Sequence, residues 1–499
     1  MSLEVQTSVL PLIAVLSSAL AIPFIVWIGE RNPNLREAVS VFAGIIKFIA
    51  VLSMVPSVIS GKILECHIVT LLPNMDLKFR VDALGLVFAL GASFLWILTT
   101  FYSIGYMRGH QEKKQTRYYS CFAGALSSTM GIAFASNLFT LFLFYEILTF
   151  TTYPLVAHHE DAEARAGGRK YVLYLVGSAK LFLIAAIVLV YLLTGTLEFR
   201  NGGIIEAQVL EKNKGLLNLL FIMFLYGFAK AAVMPLHGWL PAAMVAPTPV
   251  SALLHAVAVV KSGVFSVLRV ILHIFGLESL KVLPATDIAL LMCAFTITVG
   301  SIIALTRDNL KARLAYSTIS QLSYIILGAL LLTEEGILGG ILHITNHAFA
   351  KITLFFCAGS LYVCAHKTLV SELDGIAKRL PITMVAFTIG ALAMIGMPLF
   401  NGFISKWYLL VGAVEAQNLW ILMILLLSSL LNAGYFLPII YRAYFKDFPQ
   451  GRFNKMHHTH HDIRENPFMA GVLLITSILT ILTGIYPQPL ISLVEVVLK

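Results

Sequence analysis

Apolar stretches of about twenty residues alternate with short polar connections along this chain, the pattern expected of helices that cross a bilayer. Fourteen spans are predicted: 6–28, 38–60, 82–105, 118–136, 138–157, 170–194, 215–240, 247–273, 284–305, 313–332, 335–364, 382–411, 416–445 and 467–494. The stretch 61–81, "GKILECHIVTLLPNMDLKFRV", is too broken to span and predicts a surface hairpin or an amphipathic segment. The longest polar connections, 195–215 and 446–467, are too small to form domains. The expected fold is an all-α polytopic membrane protein.

Two spans contain helix breakers. Span seven, "LFIMFLYGFAKAAVMPLHGWLPAAM", places Pro235 and Pro241 shortly after Lys230. Span twelve, "GALAMIGMPLFNGFISKWYLL", places Pro398 before Lys406. Proline alone says little, because spanning helices tolerate it. An interrupted helix bearing a lysine, once in each half, points to an inverted-repeat transporter with its ion path near the membrane midplane.

Composition strengthens the membrane reading. Of 499 residues, 58% are hydrophobic and 12% charged, against about 25% charged in soluble domains. The net charge of +9 does not suggest nucleic acid, because no solvated domain exists to carry a basic face. Its source is loop asymmetry. Of 35 Lys and Arg residues, 20 fall in connections on one side, 8 on the other and 7 inside spans, which places both termini on the non-cytoplasmic side. The amino-terminal stretch lacks a positive leader and a cleavage site, so it reads as a retained span. Five cysteines without a CxxC pair offer no iron–sulfur or zinc framework.

The chemistry-bearing residues are the ionisable groups inside spans, each costing roughly 2.5–3.5 kcal/mol at the bilayer centre for a lysine-like charge. Glu146 is the only acid in its span, and Lys230 is its natural partner. Changing their separation would load or unload a proton. Lys261 and His255 share span eight. In "HITNHAFAK", His343, His347 and Lys351 recur at i, i+4 and i+8, one stripe down one helix face. Lys406 follows the second break. Lys180 is balanced between a further member of the path and a structural partner, and His237 belongs to a partly wet site at the first break. Lys47 is expected to snorkel and Arg269 to anchor at an interface. "STISQLSY" (317–324) reads first as helix–helix hydrogen bonding and second as the lining of a wet path. His158, His159, Glu160 and Asp161 read as a polar loop at the inner face. "HHTHH" (457–461) reads as a solvated loop, so no metal is assigned.

Taken together, "FYEILTFTTYPLV", "GFAKAAVMPLHGWLPAAMVAPTPVSALLHAVAVVKSGVF", "RLAYSTISQLSYI", "HITNHAFAKITLFFCAG" and "GMPLFNGFISKWYL" resemble one family over essentially the whole chain. It comprises the antiporter-like subunits of respiratory complex I, of membrane-bound group 4 hydrogenases and of multisubunit Na+/H+ (Mrp-type) antiporters. The resemblance is to the shorter members, without a lateral helix. It implies two inverted five-helix repeats, at about 118–273 and 284–445, with discontinuous helices seven and twelve. A three-helix segment (1–117) would precede them, and a loop with a final helix (446–499) would follow.

The same resemblance implies a proton relay through Glu146, Lys230, Lys261 with His255, then His343, His347 and Lys351, then Lys406. It implies no cofactor in this chain, other membrane subunits as partners, and residence in a prokaryotic cytoplasmic membrane. Two readings stay open: a subunit driven by a redox module elsewhere in its complex, and a subunit of a Na+/H+ antiporter without one. A stand-alone carrier for an organic substrate is disfavoured, because the polar residues form a lateral chain and not a substrate-sized cluster.

Overall fold

A computed structural model describes residues 4–72, 75–448 and 463–498 of the chain. Its helices are α1 (Leu10–Ile28), α2 (Pro33–Ser53), α3 (Ala83–Gly109), α4 (Gln115–Ala133), α5 (Leu138–Val156), α6 (Ala162–Thr194) and α7 (Ala207–Gly227). They continue as α8 (Thr248–Phe275), α9 (Ala285–Thr306), α10 (Leu310–Leu330), α11 (Glu334–Ala365), α12 (Pro381–Ile395) and α13 (Asn401–Glu415). The last three are α14 (Leu419–Phe445), α15 (Pro467–Ile485) and α16 (Gln488–Leu498).

The helix starts follow from local chemistry. Asp82, Asn137, Asp161, Asn309 and Thr333 each accept a hydrogen bond from a first-turn amide of the helix they precede, which satisfies a donor that would otherwise be orphaned. Proline occupies the first turn of α1, α2, α12 and α15, where its missing N–H costs nothing.

Among the described residues, ten helices are long and apolar enough to cross a membrane: α1, α2, α3, α5, α6, α8, α9, α11, α14 and α15. Four other predicted spans form helices that fall short of that measure, for two physical reasons. Helices α4, α7 and α10 carry more polar residues; α4 and α10 are almost wholly enclosed by other helices, so lipid does not demand an apolar surface of them. The predicted span at 382–411 divides into α12 and α13 at the break after Ile395.

The 61–81 segment is a hairpin, as its broken pattern predicts. Its strands β2 (Lys62–Leu72) and β3 (Met75–Val81) are antiparallel, and the amino-terminal strand β1 (Glu4–Thr7) adds in parallel to β2. The fold is mostly helical, as expected, with this small three-stranded sheet beside the bundle. The "HHTHH" segment lies outside the described residues.

The centre of the bundle is α11, packed against α8, α10, α12 and α13. Its apolar window is 83% buried and that of α8 is 94% buried, against 33% for the peripheral α14. Close approach depends on glycine. A Cβ on Gly328 or Gly340 would lie 2.5 Å or 2.7 Å from a backbone oxygen of the neighbouring helix.

Two expectations about cations are overturned. Lys47 does not snorkel. It is fully buried, donates to Ser18 Oγ at 2.6 Å and stands 4.5 Å from the Trp96 ring centroid, because its face of α2 packs on α1 and α3. Arg269 is likewise buried, pairing with Asp82 through both terminal nitrogens and lying between the Phe199 and Phe265 rings. It ties α8 to the start of α3 and does not anchor at a lipid interface.

Candidate functional site

The first break begins where α7 stops at Gly227. A 3-10 turn, Ala229–Ala231, follows, and Ala232 takes a left-handed conformation at φ +55°. This irregular backbone carries Lys230 into the interior, where it is fully buried. Its Nζ donates to Tyr145 O at 2.8 Å and Thr149 Oγ1 at 2.7 Å, and lies 3.1 Å from the Tyr145 ring centroid. The Tyr145 hydroxyl accepts from the Lys230 amide at 3.1 Å. Glu146 is within electrostatic reach but not in contact, and its Oε1 has no hydrogen-bond partner. The predicted carboxylate–ammonium pair is therefore present as neighbours, with the ammonium held by the residue before the acid and by Thr149 one turn on.

Gly263 permits this arrangement. A Cβ there would lie 2.2 Å from Ala231 N and 2.4 Å from Lys230 C, so only a glycine on α8 lets the break pack so closely.

The second break has the same logic. Helix α12 ends at Ile395, Gly396 turns at φ +92°, and α13 begins at Asn401. Lys406 Nζ reaches back to the freed carbonyls of Met394 at 2.9 Å and Ile395 at 3.1 Å, and to Ser429 Oγ at 3.2 Å. Asn346 and Asn401 each donate a side-chain N–H to the other's backbone oxygen, at 2.9 and 3.2 Å, which fastens the break to α11.

Between the breaks runs the α11 stripe. His343, His347 and Lys351 are all buried on one face. His347 Nδ1 lies 2.7 Å from Lys261 Nζ on α8, a direct contact between the two halves of the chain. The His343 and His347 ring centroids are 5.7 Å apart. His343 is gripped at both ring nitrogens, Nδ1 by Ser405 Oγ at 2.8 Å and Nε2 by Gln321 Oε1 at 3.0 Å. Both ring nitrogens thus have a side-chain hydrogen-bond partner. Ser405 adjoins Lys406, which completes the row. Lys351 turns aside, donating to Ser317 Oγ at 2.8 Å.

The groups therefore fall in two sets, Glu146 with Lys230 and then Lys261, His347, His343 and Lys406, with Lys351 branching off one turn along α11 and the Gly263 contact packing the Lys230 backbone on the helix that carries Lys261. His255 sits on a π-helical turn, Leu253–Val257, against the Phe355 ring, and neither ring nitrogen has a partner. It is close to the row without a contact in it. Lys180 also lies on a π-helical turn, Ala179–Leu183, and is exposed on the outer flank with Glu146 as its electrostatic neighbour. His237 is half-buried near the first break, its Nδ1 3.2 Å from Pro235 O, and away from the row. Pro398 is exposed at the second break.

Tyr145, Thr149, Ser405 and Asn401 were not singled out from the sequence. Tyr145 and Thr149 share a helix face at i, i+4 beside Glu146, the one signal that could have found them. Ser317 and Gln321 do line the row, the second of the two roles read for "STISQLSY". Ser320, bonded to Ser301, fills the first. Among the described residues, no group of three or more His, Cys, Asp or Glu is arranged to hold a metal ion.

Fold and site together define a polytopic helical membrane protein in which two broken helices present buried cations to a central histidine stripe. Residues 135–432 match the family described as "NADH:quinone oxidoreductase/Mrp antiporter, TM", and residues 72–119 match "NADH-Ubiquinone oxidoreductase (complex I), chain 5 N-terminus". The chain belongs to that membrane family.

Among its relatives is NADH-quinone oxidoreductase subunit N of Desulforudis audaxviator, 33% identical over 385 residues, covering 76% of this chain and 75% of that one. The putative antiporter subunit mnhA2 of Staphylococcus haemolyticus is 29% identical over 450 residues, 83% of this chain and 55% of its own length. NAD(P)H-quinone oxidoreductase chain 5 of Synechocystis is 33% identical over 394 residues, 76% of this chain and 55% of its own. The chain thus spans about half the length of these last two. In structure it is similar to a chain of the membrane-bound sulfane sulfur reductase, an archaeal respiratory membrane complex, at 25% identity and a TM-score of 0.83, covering 98% and 97% of the two chains. It also shares the fold of a chain of the Mrp complex from Dietzia sp., at 20% identity and a TM-score of 0.82, covering 100% and 97%.

Proposed function

We propose that this chain is a proton-translocating, antiporter-like subunit of a multisubunit membrane complex, driven by a redox module elsewhere in that complex. The observation that carries the reading is the 2.7 Å contact of Lys261 with His347. It joins the cation of one half to the histidine stripe of the other within a buried row of titratable groups. Buried charge of this kind is expensive in a bilayer and is kept for an ion path. The groups of this row change only their protonation.

The second reading, a subunit of a Na+/H+ antiporter with no redox partner, is favoured by the likeness to the antiporter subunit of Staphylococcus haemolyticus. The exposed Lys180 beside Glu146 supports a neighbouring membrane subunit on that flank, because a lysine facing lipid there would be costly. Loop charge supports residence in a cytoplasmic membrane with both termini on the non-cytoplasmic side.

The test is proton movement by the purified complex in vesicles. Lys230→Ala or Glu146→Ala abolishes coupled transport while the complex still assembles, and wild-type transport in either variant refutes the relay. The subunits that co-purify decide between the two readings: quinone- or hydrogenase-type modules favour the first, small antiporter subunits alone the second.

A further inference from the structure

A second cluster of titratable groups lies outside the row, where α3 ends and the α5–α6 connection passes. Glu112 follows the α3 carboxy-terminus, and its amide donates to Met107 O at 2.9 Å. Its carboxylate is only 8% exposed, yet Oε1 accepts no hydrogen bond. Three imidazoles surround it: His110 Nε2 at 3.9 Å, His158 Nε2 at 3.9 Å and His159 Nδ1 at 3.7 Å. His159 is exposed to solvent, whereas His158 is 2% exposed and its Nδ1 has no partner.

Cations are available nearby and are engaged elsewhere. Lys114 and Arg117 both pair with Glu160, and Arg117 also donates to His158 O at 2.8 Å. Among the described residues, no Lys or Arg nitrogen lies within salt-bridge distance of Glu112.

The cluster has an inward continuation. Lys311, at the start of α10, donates to Ala246 O at 2.6 Å and has Glu112 as its electrostatic partner. His255, deeper in, has Lys311 and Lys351 as its charged neighbours. Tyr106 and Tyr118 are within electrostatic reach of Glu112, and Tyr362 Oη lies 3.3 Å from His110 Nε2.

We propose that Glu112 with His110 and His159 is the proton-collecting mouth of this chain, passing protons by way of Lys311 and His255 to Lys351. The inference rests on the proton-transport reading above and assigns its point of entry. A proton from bulk water binds the exposed His159 imidazole, moves to the Glu112 carboxylate and then inward to the Lys311 side chain. Each donor returns to its starting state, and nothing is oxidised or reduced. The 3.7–3.9 Å separations lie just outside hydrogen-bond range, so a small side-chain rotation closes them. The exposed His159 and the half-buried His110 can capture protons that the enclosed carboxylate cannot meet directly. Loop charge puts this face on the cytoplasmic side, the side from which a pump must load.

The test uses the intact complex in vesicles, with the pH on the loop side varied from about 6 to 9 and a pH dye reporting proton movement. Glu112→Gln moves the half-maximal pH to the acid side by about one unit, a tenfold higher proton requirement, with the low-pH rate retained. Glu112→Asp restores the profile, and the exposed His159→Gln gives a shift of about threefold in the same direction. A structural role would instead lower the rate equally at every pH. If Glu112→Gln fails to assemble, His159→Gln and His110→Gln decide the matter.

An unshifted profile, or a uniform loss in an assembled complex, overturns the inference alone when Lys230→Ala still abolishes transport. Absence of proton movement in the wild-type complex removes both this inference and the reading beneath it.

Discussion

Replacing Gly263 by alanine probes the link between backbone packing and the proton row. The added Cβ would stand 2.2 Å from Ala231 N, 2.4 Å from Lys230 C and 2.9 Å from Ala231 Cα. All three are backbone atoms, so no side chain can rotate away. Restoring ordinary contact requires α8 and the 3-10 turn to separate by about 1 Å, and overpacking of this kind costs about 1–3 kcal/mol. The same movement would stretch the 2.7 and 2.8 Å bonds of Lys230 Nζ to Thr149 and Tyr145 beyond hydrogen-bond range.

Gly263→Ala is therefore expected to lower the unfolding temperature and to remove most coupled proton transport, although no titratable group has changed. Gly177→Ala is the control. Nothing lies within 4 Å of its would-be Cβ, and alanine is favoured over glycine in a helix by up to about 1 kcal/mol. Wild-type transport and stability in Gly263→Ala would refute the claim that this close approach sets the Lys230 position.

Other substitutions test separate links. Thr149→Val keeps the side-chain shape but removes an acceptor from buried Lys230, so vesicle transport should fall severalfold and stability by about 1–3 kcal/mol. Arg269→Met strands the Asp82 carboxylate and should cost about 3–5 kcal/mol in thermal unfolding. For His158, burial first, and then repulsion from Arg117 and His159, push the imidazole down to about 4. Its unfolded counterpart titrates near 6.5, so the unfolded chain gains a proton first as pH falls. Stability is full above pH 6.5 and declines by about 3 kcal/mol towards pH 4. His158→Gln should flatten that interval in unfolding curves taken between pH 7 and 4.5.

What could be read from the chain depended on whether the signal was local. The breaks at Pro235 and Pro398 and the His343–His347–Lys351 stripe are properties of single segments, and they stand where the pattern puts them. The 61–81 hairpin is local too, but the parallel addition of β1 joins segments about 55 residues apart and no periodicity announces it. Lys47 and Arg269 were misread for a related reason: one sequence gives a residue's depth along its helix, but not whether its face meets lipid or another helix. Thr149, Ser317 and Gln321 escaped or were ranked low because a small hydroxyl or amide in a span looks the same whether it binds a neighbouring helix or a buried lysine. The order of the row, with His347 and not His343 next to Lys261, is set by the crossing of α8 and α11.

The central claim is that protons pass between the two halves through the Lys261–His347 contact. The most direct test is Lys261→Met, which keeps the volume of the side chain and removes its nitrogen, in the reconstituted complex. The complex should assemble and move no protons. Proton movement at the wild-type rate would contradict it.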